Sequence, residues 1–271
     1  MGDVSEAQLA DWQESVGREL VEEEALDPLA LRRFARAIGR QDETDHVPLP
    51  HWAFFLPCPH NDTIGPDGHP KRGDFLPDIT LSRRMFAASS MAFDGALETG
   101  APARQTSRVA EVMRKSGNSG DLVFVKVEKR LEQGGKIRVR EMQTYVYRGA
   151  GEPTPLPVPA RTMPQGQSWQ PDEVDLFRFS AATFNGHRIH YDLPYTTGVE
   201  GYPALIVHGP FTAARLAELA MHDGFLATFS FRAKAPLFLG QPIFLRKAGQ
   251  GSYEAVRCDG AIAMAATAEF R

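Results

Sequence analysis

A chain of 271 residues that is 42% hydrophobic and 24% charged has enough apolar material for one large domain or two small ones. Its net charge of −4 and pI near 6.1 argue against a nucleic-acid protein, which needs clustered Lys and Arg, while leaving room for a local basic patch against a small phosphorylated ligand. The longest apolar runs fall short of the ~18 residues of a membrane span, and the acidic opening MGDVSEAQLADWQES lacks the apolar core of a signal peptide, so a cytoplasmic protein with no membrane partner is expected.

In chain order, SEAQLADWQESVGRELVEEEALD reads as an acidic amphipathic helix with Leu9, Trp12, Val16 and Leu20 on one stripe. A second helix begins at Asp27-Pro28, a capping residue followed by proline at the first helical position. It runs to Gly39, with Leu31, Phe34, Ala35 and Ile38 facing inward. Residues 41–80 are loop-rich, with His46, His51, His60 and His69 scattered among them. Strands follow at roughly 104–114, DLVFVKVEKRL and IRVREMQTYVYR, the last two joined by a turn at Gln133-Gly134-Gly135.

Residues 149–171 carry six prolines and read as a stiff, extended linker. It separates a first half, 1–148, from a second, 172–271. The second half repeats the order, with helices at 181–190 and about 209–224, then strands at TFSFRAKAPLF, QPIFLRKA, SYEAVRC and AIAMAATAEF. Helices first and an antiparallel meander after, twice over, is an α+β pattern without a literal sequence repeat. The two cysteines, Cys58 and Cys258, have no zinc-type spacing; they are expected to be reduced, and neither a metal nor a cofactor is expected.

The densest chemistry lies in FSAATFNGHRIHYDLPYTTGVEGYPALIVHG, from Phe179 to Gly209. His187 and His190 are three apart and would share a helix face. Three readings are open: satisfied polar groups at a helix start, a pair of metal ligands lacking the rest of a site, or a general acid/base at His190.

The stretch resembles the MaoC-like hydratases and dehydratases of the hot-dog fold, which carry D-x-N-P-x-H and, about twenty residues later, an H-G that opens a helix. The motif histidine falls on His190, its leading aspartate on Asn185, its internal asparagine on His187, and the H-G on His208-Gly209. FRAKAPLFLGQPI is similar to the family's R-x-x-x-P-[VL]-x-x-G-[DQ] segment, and residues 108–148 resemble a second hot-dog half without the histidine motif. Because Asn stands where the family has Asp, FNGHRIHYD is closer to the branch holding mesaconyl-C4-CoA hydratases and mitochondrial-type 3-hydroxyacyl-thioester dehydratases.

The resemblance implies a double hot-dog fold. Two antiparallel sheets would each wrap a central helix, residues 28–39 and about 186–195, and join as a pseudo-dimer with one continuous sheet and the catalytic motif in the second half. It implies hydration or dehydration of a short enoyl-CoA, the CoA thioester being substrate rather than cofactor. His190 would be the base, Asn185 would hold the water, and the Gly209 N–H would face the developing enolate. His187, Arg188, Tyr191, Asp192 and His208 would surround the substrate. An arginine at Arg188 suits a second carboxylate but reads equally as a surface residue, and Arg83 and Arg84 could meet substrate or CoA phosphates or be plain strand charges. A fatty-acid or polyketide dehydratase, a thioesterase and a non-catalytic acyl-CoA-binding module are the competing functions. A homodimer or larger homo-oligomer is expected.

Overall fold

The computed structural model describes residues 4–40, 46–117, 120–151, 153 and 155–271. Residues 1–3, 41–45 of the loop-rich stretch, 118–119 of the segment expected to form a hot-dog half, and 152 and 154 of the expected linker lie outside them.

Strands β1 (Glu19–Ala25), β2 (Arg83–Phe93), β3 (Pro102–Gly117), β4 (Gly120–Gln133) and β5 (Lys136–Arg148) precede the proline-rich stretch. Strands β6 (Gln167–Trp169), β7 (Leu226–Ala233), β8 (Ile243–Gly249), β9 (Ser252–Arg257) and β10 (Ile262–Phe270) lie at its end and beyond it. All ten form one antiparallel sheet ordered β1-β3-β4-β5-β2-β7-β10-β9-β8-β6. Read inward from either edge, the order is first, third, fourth, fifth, second strand of that half, so the halves are related by a pseudo-two-fold at the seam. There β2 and β7 pair from Ala88↔Arg232 to Ala92↔Thr228. The expected continuous sheet forms because β2 would otherwise leave an open edge.

The β4–β5 hairpin closes through Gly134 and Gly135, at φ 60° and 71°, the left-handed pair that a tight hairpin turn requires. Helix α2 (Pro28–Ala37) starts as expected, with the Asp27 carboxylate accepting from the Leu29 N–H at 2.8 Å. Helix α5 (Gly209–Ala220) lies across β7–β10 and buries Phe211, Ala213, Leu216, Ala217 and Ala220. With α2 and α3 (Glu173–Ala182) it builds the larger core. A second core joins Val109, Val112, Val123, Val125, Val127 and Tyr147 to Ile79 and to Trp12 of α1 (Glu6–Gln13). Both cysteines are free, Cys58 exposed and Cys258 buried.

Several sequence expectations are corrected. The acidic N-terminal helix stops at Gln13, Val16 and Leu20 are exposed, and ELVEEEA is strand β1, paired with β3 after a turn at Gly17 (φ 90°). Pairing with a long neighbour overrides the helical preference of glutamate there. The helix expected at 181–190 lies earlier, as α3, because Asp172 and Asp175 form a reciprocal cap at its start. The helix expected over 186–195 is instead a 3₁₀ turn (Arg188–His190) followed by α4 (Leu193–Gly198); α5 takes the central position of the second half. In the first half α2 packs chiefly on α3 and the 3₁₀ turn Pro50–Ala53. The expected strands did not include Arg83–Phe93, although Arg83 and Arg84 read as possible strand charges, and the end of the expected linker is the edge strand β6.

Candidate active site

Placing α2 to one side leaves part of the first half's concave face uncovered. Ser107, Lys129 and Glu141 sit there as cross-strand neighbours, with Gln143 two pairs further along. They form a polar band between the two cores. Above it opens a cavity of about 1360 Å³, lined from both halves of the sheet. Glu141 anchors its floor. The carboxylate accepts from Ser89 Oγ at 2.8 Å and Trp52 Nε1 at 3.2 Å, and His51 Nε2 lies 3.3 Å away. Burial alone would raise its pKa, but the hydrogen bond and charge of His51, the field of Lys129 and the Ser89 bond bring it down to about 2.

The opposite wall is the turn that the sequence singled out. Phe184 takes φ 48° at its start, and Asn185 Oδ1 accepts from the His187 N–H at 3.0 Å. This turn ends α3 and delivers His190 to the cavity. The His190 Nδ1–H donates to the Ile206 carbonyl at 2.8 Å, which leaves Nε2 as a lone-pair acceptor. Burial pushes its pKa down to about 3, so the ring is neutral near pH 7. His208 stacks on it, with centroids 3.6 Å apart, and His208 Nε2 lies 2.8 Å from Ser180 Oγ. Gly209 opens α5, with Pro210 in the first turn. Both line the cavity, and the Gly209 N–H has no partner within the helix, so the positive end of α5 faces the space next to His190.

The remaining expected residues divide. Asn185, His187 and Tyr191 line the cavity, the Tyr191 hydroxyl donating to the Gly186 carbonyl at 3.0 Å. Arg188 is committed elsewhere: it donates to Asp192 Oδ2 at 2.9 and 2.7 Å and to the Pro66 carbonyl at 3.1 Å, and lies over the Tyr195 ring. Asp192 is spent on that pair and on capping α4. Neither lines the cavity. Arg83 is 3.3 Å from the Glu200 carboxylate and over the Tyr202 ring, also away from it. Its neighbour Arg84 does line the cavity, and among the described residues no carboxylate lies within ion-pair distance of it. Its charge bears on Tyr145, Tyr147, His69 and His187.

Sequence reasoning missed the contribution of the long loop. The Asp67 carboxylate holds His69 twice, through the His69 N–H at 3.0 Å and ring Nδ1 at 3.3 Å. The His69 ring lies 4.1 Å from that of His187, whose own ring is 5.5 Å from His190. Asp67, His69 and His187 each place a potential metal-binding atom within 4.8 Å of the others, but both carboxylate oxygens already accept from His69. The Asp-Gly-His-Pro spacing was a usable signal, being an acceptor two residues before a histidine across a turn.

Residues 46–239 match the family hydroxyacyl-thioester dehydratase type 2. The chain belongs to this family. Across 96% of its length it is 41% identical to mesaconyl-C(4)-CoA hydratase of Chloroflexus aurantiacus, covering 98% of that protein. The crystal structure of a MaoC-like dehydratase from Phytophthora capsici superposes with a TM-score of 0.68 at 15% identity, over 97% of this chain and 98% of that one. A Mycobacterium tuberculosis protein described as a double hotdog fold superposes at 0.56 with 9% identity, over 93% of this chain and 95% of its own. The double hot-dog fold and the MaoC-like resemblance both hold. This family member is a hydro-lyase that adds water to an acyl thioester, or removes it.

Proposed function

We propose that the thioester is a short enoyl-CoA with a second carboxylate, of the mesaconyl type, in reversible exchange with its 3-hydroxyacyl form. The observation that carries this reading is Arg84. It is a cation at the cavity wall, close to His187, with phenols and imidazoles around it and no carboxylate partner among the described residues. Lys71, Lys129, Arg148, Arg232 and Lys234 also line the cavity, but Arg84 is the lining cation whose charge bears on both His69 and His187. His190 Nε2 takes a proton from water as oxygen adds to Cβ. The Gly209 N–H and the α5 dipole stabilise the enolate on the thioester oxygen. The imidazolium of His190 then returns the proton to Cα. Asn185, its Oδ1 engaged by the His187 N–H, offers its amide N–H groups to the incoming oxygen. This reading carries with it a cytoplasmic enzyme and copies associated as a homodimer or larger.

A panel of CoA thioesters tests it, followed by the loss of enoyl absorbance. Mesaconyl-C4-CoA is expected to give the highest kcat/KM, above crotonyl-CoA and above C8–C12 enoyl-CoAs. The volume of the cavity, about 1360 Å³, favours one second reading, a longer 3-hydroxyacyl chain. A maximum at C8–C12 would establish that reading and remove the dicarboxylate one.

A further inference from the structure

Asn185 stands where the family motif has its carboxylate, and its carbonyl oxygen is turned back to the His187 N–H. A water at His190 Nε2 has a second hydrogen that needs an acceptor. The second half supplies none that is free and held in one tautomer: Asp192 is tied to Arg188 and the α4 cap, His208 is packed behind His190 against Ser180, and among the described residues no hydrogen bond orients the ring of His187, 5.5 Å from that of His190. The first half does supply one. The loop bearing Asp67 and His69 is docked onto the turn bearing His187 and His190. The Arg188 N–H donates to the Asp67 carbonyl at 2.9 Å. Gly68 (φ 87°) lies so close that a Cβ there would stand 1.9 Å from the Gly186 carbonyl oxygen.

We infer that His69, oriented by Asp67, is the second acceptor of the reacting water, taking over from the first half of the chain the task of the missing motif aspartate. The geometry parallels that of His190. An oxygen acceptor on each Nδ1–H fixes the tautomer, the Ile206 carbonyl for one and the Asp67 carboxylate for the other. Each ring then keeps Nε2 as its lone-pair nitrogen, and both rings line the same cavity. His190 removes one proton of the water as the C–O bond forms. His69 accepts a hydrogen bond from the other hydroxyl hydrogen, which stays on the product oxygen. The His190 proton goes to Cα, so the atoms of water are all accounted for. Asp67 is a positioning residue, acting only through the His69 ring.

The inference rests on thioester hydration and not on the dicarboxylate reading. Variants of the full chain test it on whichever thioester the wild type turns over, so a failed substrate assignment leaves the test intact. His69→Leu is expected to lower kcat by roughly 10²-fold with KM within about threefold of wild type. His69→Gln, which keeps an acceptor oxygen, should recover about tenfold of that loss. Asp67→Asn should lower kcat by about tenfold or more, because the amide can donate to Nδ1 and release the wrong tautomer. Nitrogen-15 NMR should accordingly show the Nδ1–H form of His69 in the wild type and a mixture in Asp67→Asn. A folded His69→Leu enzyme with wild-type kcat overturns the inference. So does a raised KM at unchanged kcat, which would make His69 a binding residue. Equal kcat in His69→Leu and His69→Gln also overturns it, as does stoichiometric zinc that supports turnover and is lost with His69. If His69→Leu does not fold, the kcat, KM and NMR behaviour of the other two variants decides by the same criteria.

Discussion

The two halves of the sheet share one strand order and use their concave faces differently. In the second half α5 fills the face with Phe211, Leu216 and alanines packed to zero or near-zero exposure. In the first half the helix is displaced, and the face keeps Lys129, Glu141, Gln143 and Ser107 around a cavity. One half thus holds the apolar scaffold that aims α5 and His190, and the other holds space and polar groups. A packed core cannot also be a pocket. With the helix displaced from one face, the two tasks are separated within a single chain.

Removing the chemistry from the packed half is the severest way to probe this division. His190→Ala is expected to lower kcat by ~10²–10⁴ while the melting temperature and the affinity for a substrate analogue change little. Wild-type turnover in that variant would move the chemistry elsewhere in the cavity. On the polar side, Glu141→Ala leaves Ser89, Trp52 and His51 without their common acceptor and should cost about 3 kcal/mol of stability by urea unfolding. A loss below 1 kcal/mol would mean that water replaces the carboxylate without penalty.

Arg84→Leu sharpens the comparison by substrate. Its kcat/KM should fall by roughly 10²-fold for a dicarboxylic enoyl-CoA and change little for crotonyl-CoA. Equal losses with both would assign Arg84 to the CoA portion. Acid should weaken the protein as a whole. His187 and His190 have pKa values held down near 2 and 3 by burial, so below pH 6.5 the unfolded chain binds protons that the folded chain does not. Each contributes about 1 kcal/mol of lost stability by pH 5.5. Glu141 adds its loss lower, from 4.5 down through about 2. Flat stability between pH 6.5 and 5.5 would show these histidines exposed to solvent. The smallest effect is expected from Asn185→Asp. A carboxylate can still accept from the His187 N–H but no longer donates to the incoming oxygen, so crotonyl-CoA hydration should fall by about threefold, while a dicarboxylic substrate should also bind more weakly beside the added charge.

The elements legible in the sequence were those specified locally. Asp27-Pro28 caps α2, Gly134-Gly135 turns the β4–β5 hairpin, and His208-Gly209-Pro210 opens α5. The turn that lines the cavity was also readable, because Asn185, His187 and His190 lie within one short stretch. What could not be read depends on distant partners. ELVEEEA becomes a strand only because β3 lies beside it, and β2, with its Ala-Ala-Ser-Ser centre, only because β5 and β7 flank it. Arg83 and Arg84 look equivalent in sequence, yet the strand alternation sends one to Glu200 and the other to the cavity. His69 was passed over as one of several scattered histidines, since nothing local announces that its loop docks more than a hundred residues away on Arg188.

The ends of the sheet carry a further consequence. Strand β6 is only three residues long, too short a template for another chain. Strand β1 is longer, but of its seven residues Glu19, Glu22, Glu23 and Glu24 are acidic. A second copy adding itself along that edge would set glutamates against glutamates at the spacing of neighbouring strands, where like charges repel. A sheet of ten strands with both borders left open would be prone to fibrous growth, and this one is protected from it by brevity at one border and by charge at the other.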